Sequence, residues 1–191
     1  MSPRSPEQNQ AQREETRHGI LMTALKAFAE KGYAATSISY IAKEAGISKG
    51  LTYHYFNSKE DLLHGIFHYL NSFSGEAINL LKNKSPQEQL RLTVEMTFDY
   101  IQKNPDLMRF MTSLALQPDA MATLKEDIKK HKQQTIGVFT KLFGTLNYPA
   151  PEAEAYYLGA MLDGVALGSL ALQEEYPLAA IKEKILKHYQ L

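Results

Sequence analysis

The stretch Thr36–Glu60, TSISYIAKEAGISKGLTYHYFNSKE, leaves its chain few choices of fold. It holds two short helical patterns on either side of Gly46, each opened by a hydroxyl residue able to cap a helix. In the first, Ile38, Ile41, Ala42 and Ala45 recur at helical spacing on one face, and Ser37 stands where an N-cap oxygen accepts an otherwise orphaned N–H. Gly46 supplies the turn, because glycine alone takes a left-handed backbone freely, and Ile47 is placed to return to the core. Ser48 then caps a second helix that crowds Lys49, Thr52, Tyr53, His54 and Tyr55 into about two turns. So many aromatic and hydrogen-bonding groups on one short helix mark a contact surface.

The flanking chain reads as helix throughout. Residues 1–12, MSPRSPEQNQAQ, are polar, hold two prolines and have no apolar period, which predicts a disordered arm. Arg4 within it either reaches a phosphate or groove or belongs to an untethered tail. From Arg13 onward, Ile20, Leu21, Ala24, Leu25 and Phe28 recur at three- and four-residue steps, a helix that Gly32 ends and on which Tyr33 packs back. Ser58 caps a further helix with acidic residues in its first turn, running through Leu62, Leu63, Ile66, Phe67, Leu70 and Phe73 towards Asn83. Lys59 opposes the dipole of that helix, so it answers either to a nearby anion or simply to solvent.

Ser85-Pro86, Asn104-Pro105 and Gln117-Pro118-Asp119 each open another helix, the last continuing through Met121, Leu124, Ile128, Thr135 and Val138 to Phe143. A loop over 144–151 leads to a helix from Glu152 to about Gln173, where Gly159, Gly164 and Gly168 sit among Tyr156, Leu158, Leu162, Val165 and Leu170. Glycine in a helix costs about 1 kcal/mol relative to alanine, so three of them point to close approach by another helix. A last helix follows Pro177. With no strand pattern and no internal repeat, the fold class is all-α, about nine helices.

The run from residue 24 to 63 resembles the N-terminal domain of tetracycline-repressor-like (TetR) transcriptional regulators. The signals sit at fixed spacing: Phe28, Gly32-Tyr33, Thr36, Ile41-Ala42, Ala45-Gly46-Ile47-Ser48, Gly50, Tyr53-His54-Tyr55-Phe56, Lys59 and Leu62. The remaining helices fit that family in number and order only. The resemblance implies an N-terminal three-helix helix-turn-helix domain over residues 13–58, the motif itself over about 37–56, and a ligand-binding and dimerisation domain over 59–191. It further implies a homodimer that lays one recognition helix per subunit in successive major grooves of a pseudo-palindromic operator. Carried onto this chain, the recognition helix is Ser48 to Phe56. Thr36 and Ser37 would bind phosphate through hydroxyl and backbone N–H, with Ser48 as the cap of the recognition helix. Lys49, Tyr53 and Lys59 would lie on the DNA backbone, Gly50 would admit close approach, and His54 and Tyr55 would meet phosphate or a base edge. Leu51 would meet a thymine methyl. Leu51-Thr52 departs from the family's usual polar-or-small then apolar order. Either Thr52 turns inward and Leu51 reads the groove, or the helix rotates to bury Leu51. Tyr53 and Phe56 also have a core reading, locking the recognition helix onto the first helix.

Charge enters the argument here. The net charge is zero, which weighs against a phosphate-rich partner, but residues 1–60 carry eight Lys+Arg against six Asp+Glu, and the rest carry thirteen against fifteen. The asymmetry is small and of the right sign. With no cysteine there is no disulfide framework or thiolate metal site, which suits the cytoplasm. No apolar N-terminal run marks export, and Asp163 with several glycines interrupts the apolar run 158–172, so no membrane span is expected.

Glu60, His64 and His68 share one helical face, a spacing that permits a metal but recurs on plain solvated faces, and no second motif supplies further ligands. Asp163 in an apolar setting would need a partner if buried. The chain has no phosphate loop, nucleophile elbow or framed carboxylate pair, so no cofactor and no catalysis are expected. Phe67, Phe73, Met96, Phe98, Met108, Phe110, Met111, Leu114, Phe139 and Phe143 are candidates for both core and an apolar effector cavity. The function expected is a DNA-binding repressor released by an unknown small-molecule effector. The alternatives are a small-molecule-binding helical protein without DNA binding and a metal-dependent helical enzyme on Glu60, His64 and His68.

Overall fold

A computed structural model describes residues 5–191, the side chains of residues 73–79 excepted. Arg4 and the side chain of Phe73 therefore lie outside the described residues. Among these, all regular structure is helical: α1 (Pro6–Lys31), α2 (Ile38–Glu44), α3 (Lys49–Tyr55), α4 (Lys59–Leu81), α5 (Pro86–Lys103), α6 (Pro105–Ala115), α7 (Pro118–Thr145), α8 (Pro151–Leu172), a 3-10 turn (Gln173–Glu175) and α9 (Leu178–His188).

Residues 6–12, expected in a disordered arm, instead form the first turns of α1. Ser5 and Gln8 cap each other: the Gln8 N–H donates to the Ser5 hydroxyl at 3.2 Å, and the Ser5 N–H to Gln8 Oε1 at 3.0 Å. With Pro6 already at helical φ, the start is encoded by polar groups and not by an apolar period, whose buried residues begin only at Ile20. Ser85 and Glu88 repeat the same reciprocal cap at α5. The prolines at 86, 105, 118 and 151 each occupy the first position of a helix, where their missing N–H removes no intrahelical bond.

The chain divides into two compact units. The first runs up to Leu70 and takes in 113–124, the corner between α6 and α7; the second comprises 71–112 and 125–191. The helix-turn-helix unit thus extends past residue 58, because the start of α4 is part of its core. Leu62, Leu63 and Ile66 are buried with Ile20, Leu21, Leu25 and Phe28 of α1 and Ile38 and Ile41 of α2. At Gly65 a Cβ would stand 3.0 Å from the Phe56 ring and 3.2 Å from Leu21, so α4 packs there as closely as a side chain-free residue permits.

In the second unit Leu90, Val94, Phe98 and Ile101 of α5 meet Ile136, Leu142 and Phe143 of α7, Ala155, Leu158 and Val165 of α8, and Ile185 and Tyr189 near the C-terminus. The Tyr189 hydroxyl donates to Glu154 at 3.0 Å, and burial, followed by that carboxylate, pushes its pKa well up. Gly168 is required inside the subunit, since a Cβ there would collide with the Tyr176 ring. Gly164 has nothing within 4 Å. Asp163 is exposed, not buried. The stretch Pro151–Glu175 is long and apolar enough, by length and composition alone, to cross a membrane, a test that the core helix of a soluble protein also passes. Its inner face belongs to the core just described, whereas Tyr156, Tyr157, Leu167 and Leu172 point outward.

Candidate nucleic-acid interface

The interface begins at the end of α1. Gly32 closes that helix with φ +84°, its N–H donating to the Phe28 carbonyl, and the Tyr33 ring packs edge-on against Phe28 at 5.2 Å. Thr36 is turned inward, 2 % exposed, with its hydroxyl donating to the Gly32 carbonyl at 2.8 Å and the Ala27 carbonyl at 3.3 Å. Its N–H is directed at the Tyr33 carbonyl, 3.3 Å away. Both donors of Thr36, for which the family resemblance implies phosphate contact, are thus directed at the corner between α1 and α2, where carbonyls are left open as α1 stops. Ser37 next to it is exposed, caps α2 by accepting the Tyr40 N–H at 3.2 Å, and keeps its hydroxyl proton for an outside acceptor.

Gly46 makes the turn with φ +67°, and the Ile47 N–H closes it on the Ala42 carbonyl at 3.0 Å. Ser48 caps α3 through the Leu51 N–H at 3.1 Å. The rotation of α3 settles the ambiguity at Leu51-Thr52. Thr52 is 0 % exposed, its hydroxyl directed back at the Ser48 carbonyl at 3.4 Å, while Leu51 is 39 % exposed. Thr52 and Phe56, one turn apart, form the inner stripe, and the Arg17 guanidinium lies over the Phe56 ring at 5.2 Å. The outer face carries Lys49, Gly50, Leu51, Tyr53 and His54, all exposed. Lys49 Nζ is 5.8 Å from the Tyr53 ring centre, and His54 meets the half-buried Tyr55 edge-on at 5.4 Å. A Cβ on Gly50 would find only the Ser48 hydroxyl, at 3.9 Å, so packing within the chain does not demand glycine there.

Lys59, expected on the DNA backbone, is tied to the α1–α2 corner. Its ammonium donates to the Tyr33 carbonyl at 3.0 Å and the Ala34 carbonyl at 3.3 Å, and stands 4.4 Å from the centre of the Tyr33 ring. Those contacts help to compensate its unfavourable place at the start of α4. Beside it, Glu60 accepts from the Tyr33 hydroxyl at 3.4 Å. A backbone N–H, then the Ser58 hydroxyl, holds its carboxyl below the usual range. Among the described residues no three His, Asp or Glu side chains could hold a metal, so Glu60, His64 and His68 do not form such a group. Gln117 is a participant that sequence reasoning missed: its Oε1 accepts the Tyr33 N–H at 2.6 Å across 84 positions. Gln-Pro-Asp announces only a helix start, and nothing local marks that glutamine.

Of the residues weighed as cavity lining, Phe98, Phe110, Leu114 and Phe143 are core and Met96 is exposed. Phe139 borders a cavity of about 50 Å³ with Leu81, Gln89, Thr93, Thr135, Val138 and Leu142; a second, of about 110 Å³, lies between α5 and α9.

Comparison with known proteins places this geometry. Residues 20–66 match the model for bacterial regulatory proteins of the tetR family. Beyond the motif, the chain is 32% identical over 163 residues to the HTH-type transcriptional regulator BetI of Serratia proteamaculans, covering 80% of each chain. The chain belongs to the TetR family. It is a DNA-binding transcriptional regulator of the helix-turn-helix type, and the family is not one of enzymes. The uncharacterized HTH-type regulator YerO of Bacillus subtilis is 34% identical over 112 residues, 55% of this TetR chain but 38% of YerO, so the chain spans well under half of that relative. The fold also matches the Bacillus subtilis transcriptional regulator FadR, solved in complex with stearoyl-CoA. Its TM-score is 0.73 at 22% identity, over 89% of this chain and 95% of that one.

Proposed function

We propose that this TetR regulator is a repressor that binds a pseudo-palindromic operator as a two-fold homodimer and leaves it when a small molecule binds. The observation that carries the DNA reading is the rotation of α3: Thr52 and Phe56 bind it to the core, and Lys49, Gly50, Leu51, Tyr53 and His54 face out together. In this reading Ser37, Ser48, Lys49 and Tyr53 contact backbone phosphates, Gly50 lets the helix approach, Leu51 lies against a thymine methyl, and His54 and Tyr55 reach phosphate or base edges. Because the whole chain is neutral, attraction to phosphate is local to this face, and the regulator acts in the cytoplasm, where its operator is.

Dimerisation is supported by α8. Its outward Tyr156, Tyr157, Leu167 and Leu172 are apolar or aromatic surface, and Gly164 among them meets nothing within the subunit. A symmetry mate of α8 fits that face, with α9 beside it. Control by a small molecule is supported by FadR, a relative in shape that was solved with stearoyl-CoA. The cavities described above, of about 110 and 50 Å³, are below the roughly 300–1,000 Å³ of ordinary ligand sites, and an effector seated in either would favour a more open conformation. A ligand that prefers the form with badly spaced recognition helices lowers operator affinity by its differential affinity for the two forms.

The test is a gel-shift titration on DNA from upstream of the gene at two salt concentrations. The expected result is a sequence-selective, salt-sensitive complex that Lys49→Ala weakens on every sequence and Leu51→Ala weakens chiefly at one base position. A folded protein that forms no such complex overturns the reading.

A further inference from the structure

The corner between α1 and α2 is held by a side chain from far along the sequence. Tyr33 is nearly buried, and its N–H finds its acceptor outside α1, in Gln117 Oε1 at 2.6 Å. The Gln117 amide is itself fixed, with Nε2 donating to the Ser113 hydroxyl at 3.0 Å and the Ser113 carbonyl at 3.2 Å, in the last turn of α6. Both residues lie in the corner segment 113–124, which belongs to the helix-turn-helix unit. On its other side, the Tyr33 carbonyl accepts from Lys59, and its hydroxyl donates to Glu60. Three residues on, Thr36 ties to the Gly32 carbonyl, and Ser37 immediately after it caps α2. The Gln117 amide is thus the tie that reaches from α6 and α7 to the short loop that sets the entry of α2, beside the ties made by Lys59 and Thr36.

We infer that Gln117 is a positioning residue for DNA binding: by clamping the Tyr33 N–H it fixes the α2–α3 pair to the corner from which α6 and α7 run into the second unit. The inference rests on the operator-binding reading above. Withdrawing the amide leaves a nearly buried N–H without its partner, and the loop regains the freedom that the clamp removed. The recognition helix then spends less time in the orientation that fits the groove, and apparent operator affinity falls with the competent fraction. Any change that draws α6 or α7 away from Tyr33 acts through the same joint.

The experiment compares the parent with Gln117→Ala and with Ser113→Ala, which removes only the hydroxyl that orients the amide. All are taken at a temperature where circular dichroism shows them folded. Hydrogen exchange is read at the Tyr33 amide, and affinity on a labelled duplex from upstream of the gene. Gln117→Ala is expected to exchange faster at Tyr33 and to bind on the order of tenfold more weakly, with Ser113→Ala shifted in the same direction by less. The slope of affinity against salt should be unchanged, because no phosphate contact is lost. Parental affinity in a folded Gln117→Ala variant overturns the inference, and so does unaltered exchange at Tyr33. Should Gln117→Ala fail to fold, Ser113→Ala decides: parental exchange and parental affinity there overturn it. A parent that forms no salt-sensitive complex overturns the operator reading, and the role of Gln117 in DNA binding with it, whereas a failed clamp leaves that reading standing.

Discussion

Single residues decide how α3 is seated, and Gly65 is the tightest of these points. An alanine there would gain about 0.5–1 kcal/mol of helix propensity. Against that, its methyl would sit 3.0 Å from the Phe56 ring and 3.2 Å from Leu21, both nearly fully buried. Phe56 has little room to yield, with the Arg17 guanidinium over its ring. Overpacking of this kind costs about 1–3 kcal/mol, so the clash outweighs the propensity. Gly65→Ala is expected to lower stability by about 0.5–2 kcal/mol in urea unfolding; a variant as stable as the parent would mean that Phe56 and Leu21 relax freely. Residue roles were also the least legible part of the sequence. Thr36 and Lys59 sit at positions where the family resemblance implies phosphate contacts, and both direct donors at carbonyls of the α1–α2 corner. The Lys59 contact spans 26 positions and the Gln117 contact 84, and no local pattern of caps or periods reports a bond formed over such separations.

Elements were legible where their signals are local. Gly46 was readable as a left-handed turn, and the serines at 37, 48, 58 and 85 as caps, because each acts on a backbone group within three residues. The start of α1 was missed because a polar capping box opens it about four turns before anything is buried. The two glycines of the helix-turn-helix separate what the element needs to fold from what it needs to bind. At Gly46 nothing obstructs a Cβ, but φ is +67°, so alanine pays the left-handed backbone penalty and Gly46→Ala should lose about 1–2 kcal/mol. At Gly50 the backbone is ordinary helix and the surroundings are open, so Gly50→Ala should be neutral or gain up to about 1 kcal/mol. If α3 lies in the groove as proposed, the same methyl stands between helix and DNA. Gly50→Ala should then weaken operator binding in gel shift while the urea midpoint holds or rises. Binding unaffected by that methyl would remove Gly50 from the interface.

Assembly of the whole molecule as proposed depends on α8, whose glycines imply close packing without naming what packs against them. Gly168 proves to make room for Tyr176 of the same chain, so it carries no message about a partner. Gly164 meets nothing and shares an outward face with the exposed Ala160 and Leu167 at helical spacing, the face proposed for pairing. In an isologous pairing each residue of that face is present twice, so one charge placed there is opposed by its own copy and both are desolvated. If α8 pairs with its symmetry mate as proposed, Leu167→Arg is expected to convert that dimer to a monomer in sedimentation, with helical content retained because Leu167 makes no part of the subunit core. Operator affinity should fall far more than the loss of one contact would predict. Two half-sites bound by linked subunits gain the effective concentration of the second site, on the order of a hundredfold or more in overall affinity, and a monomer forfeits it. The remaining binding should respond to one half-site as well as to two. A variant that stays dimeric and binds like the parent would move the dimer contact off this face of α8.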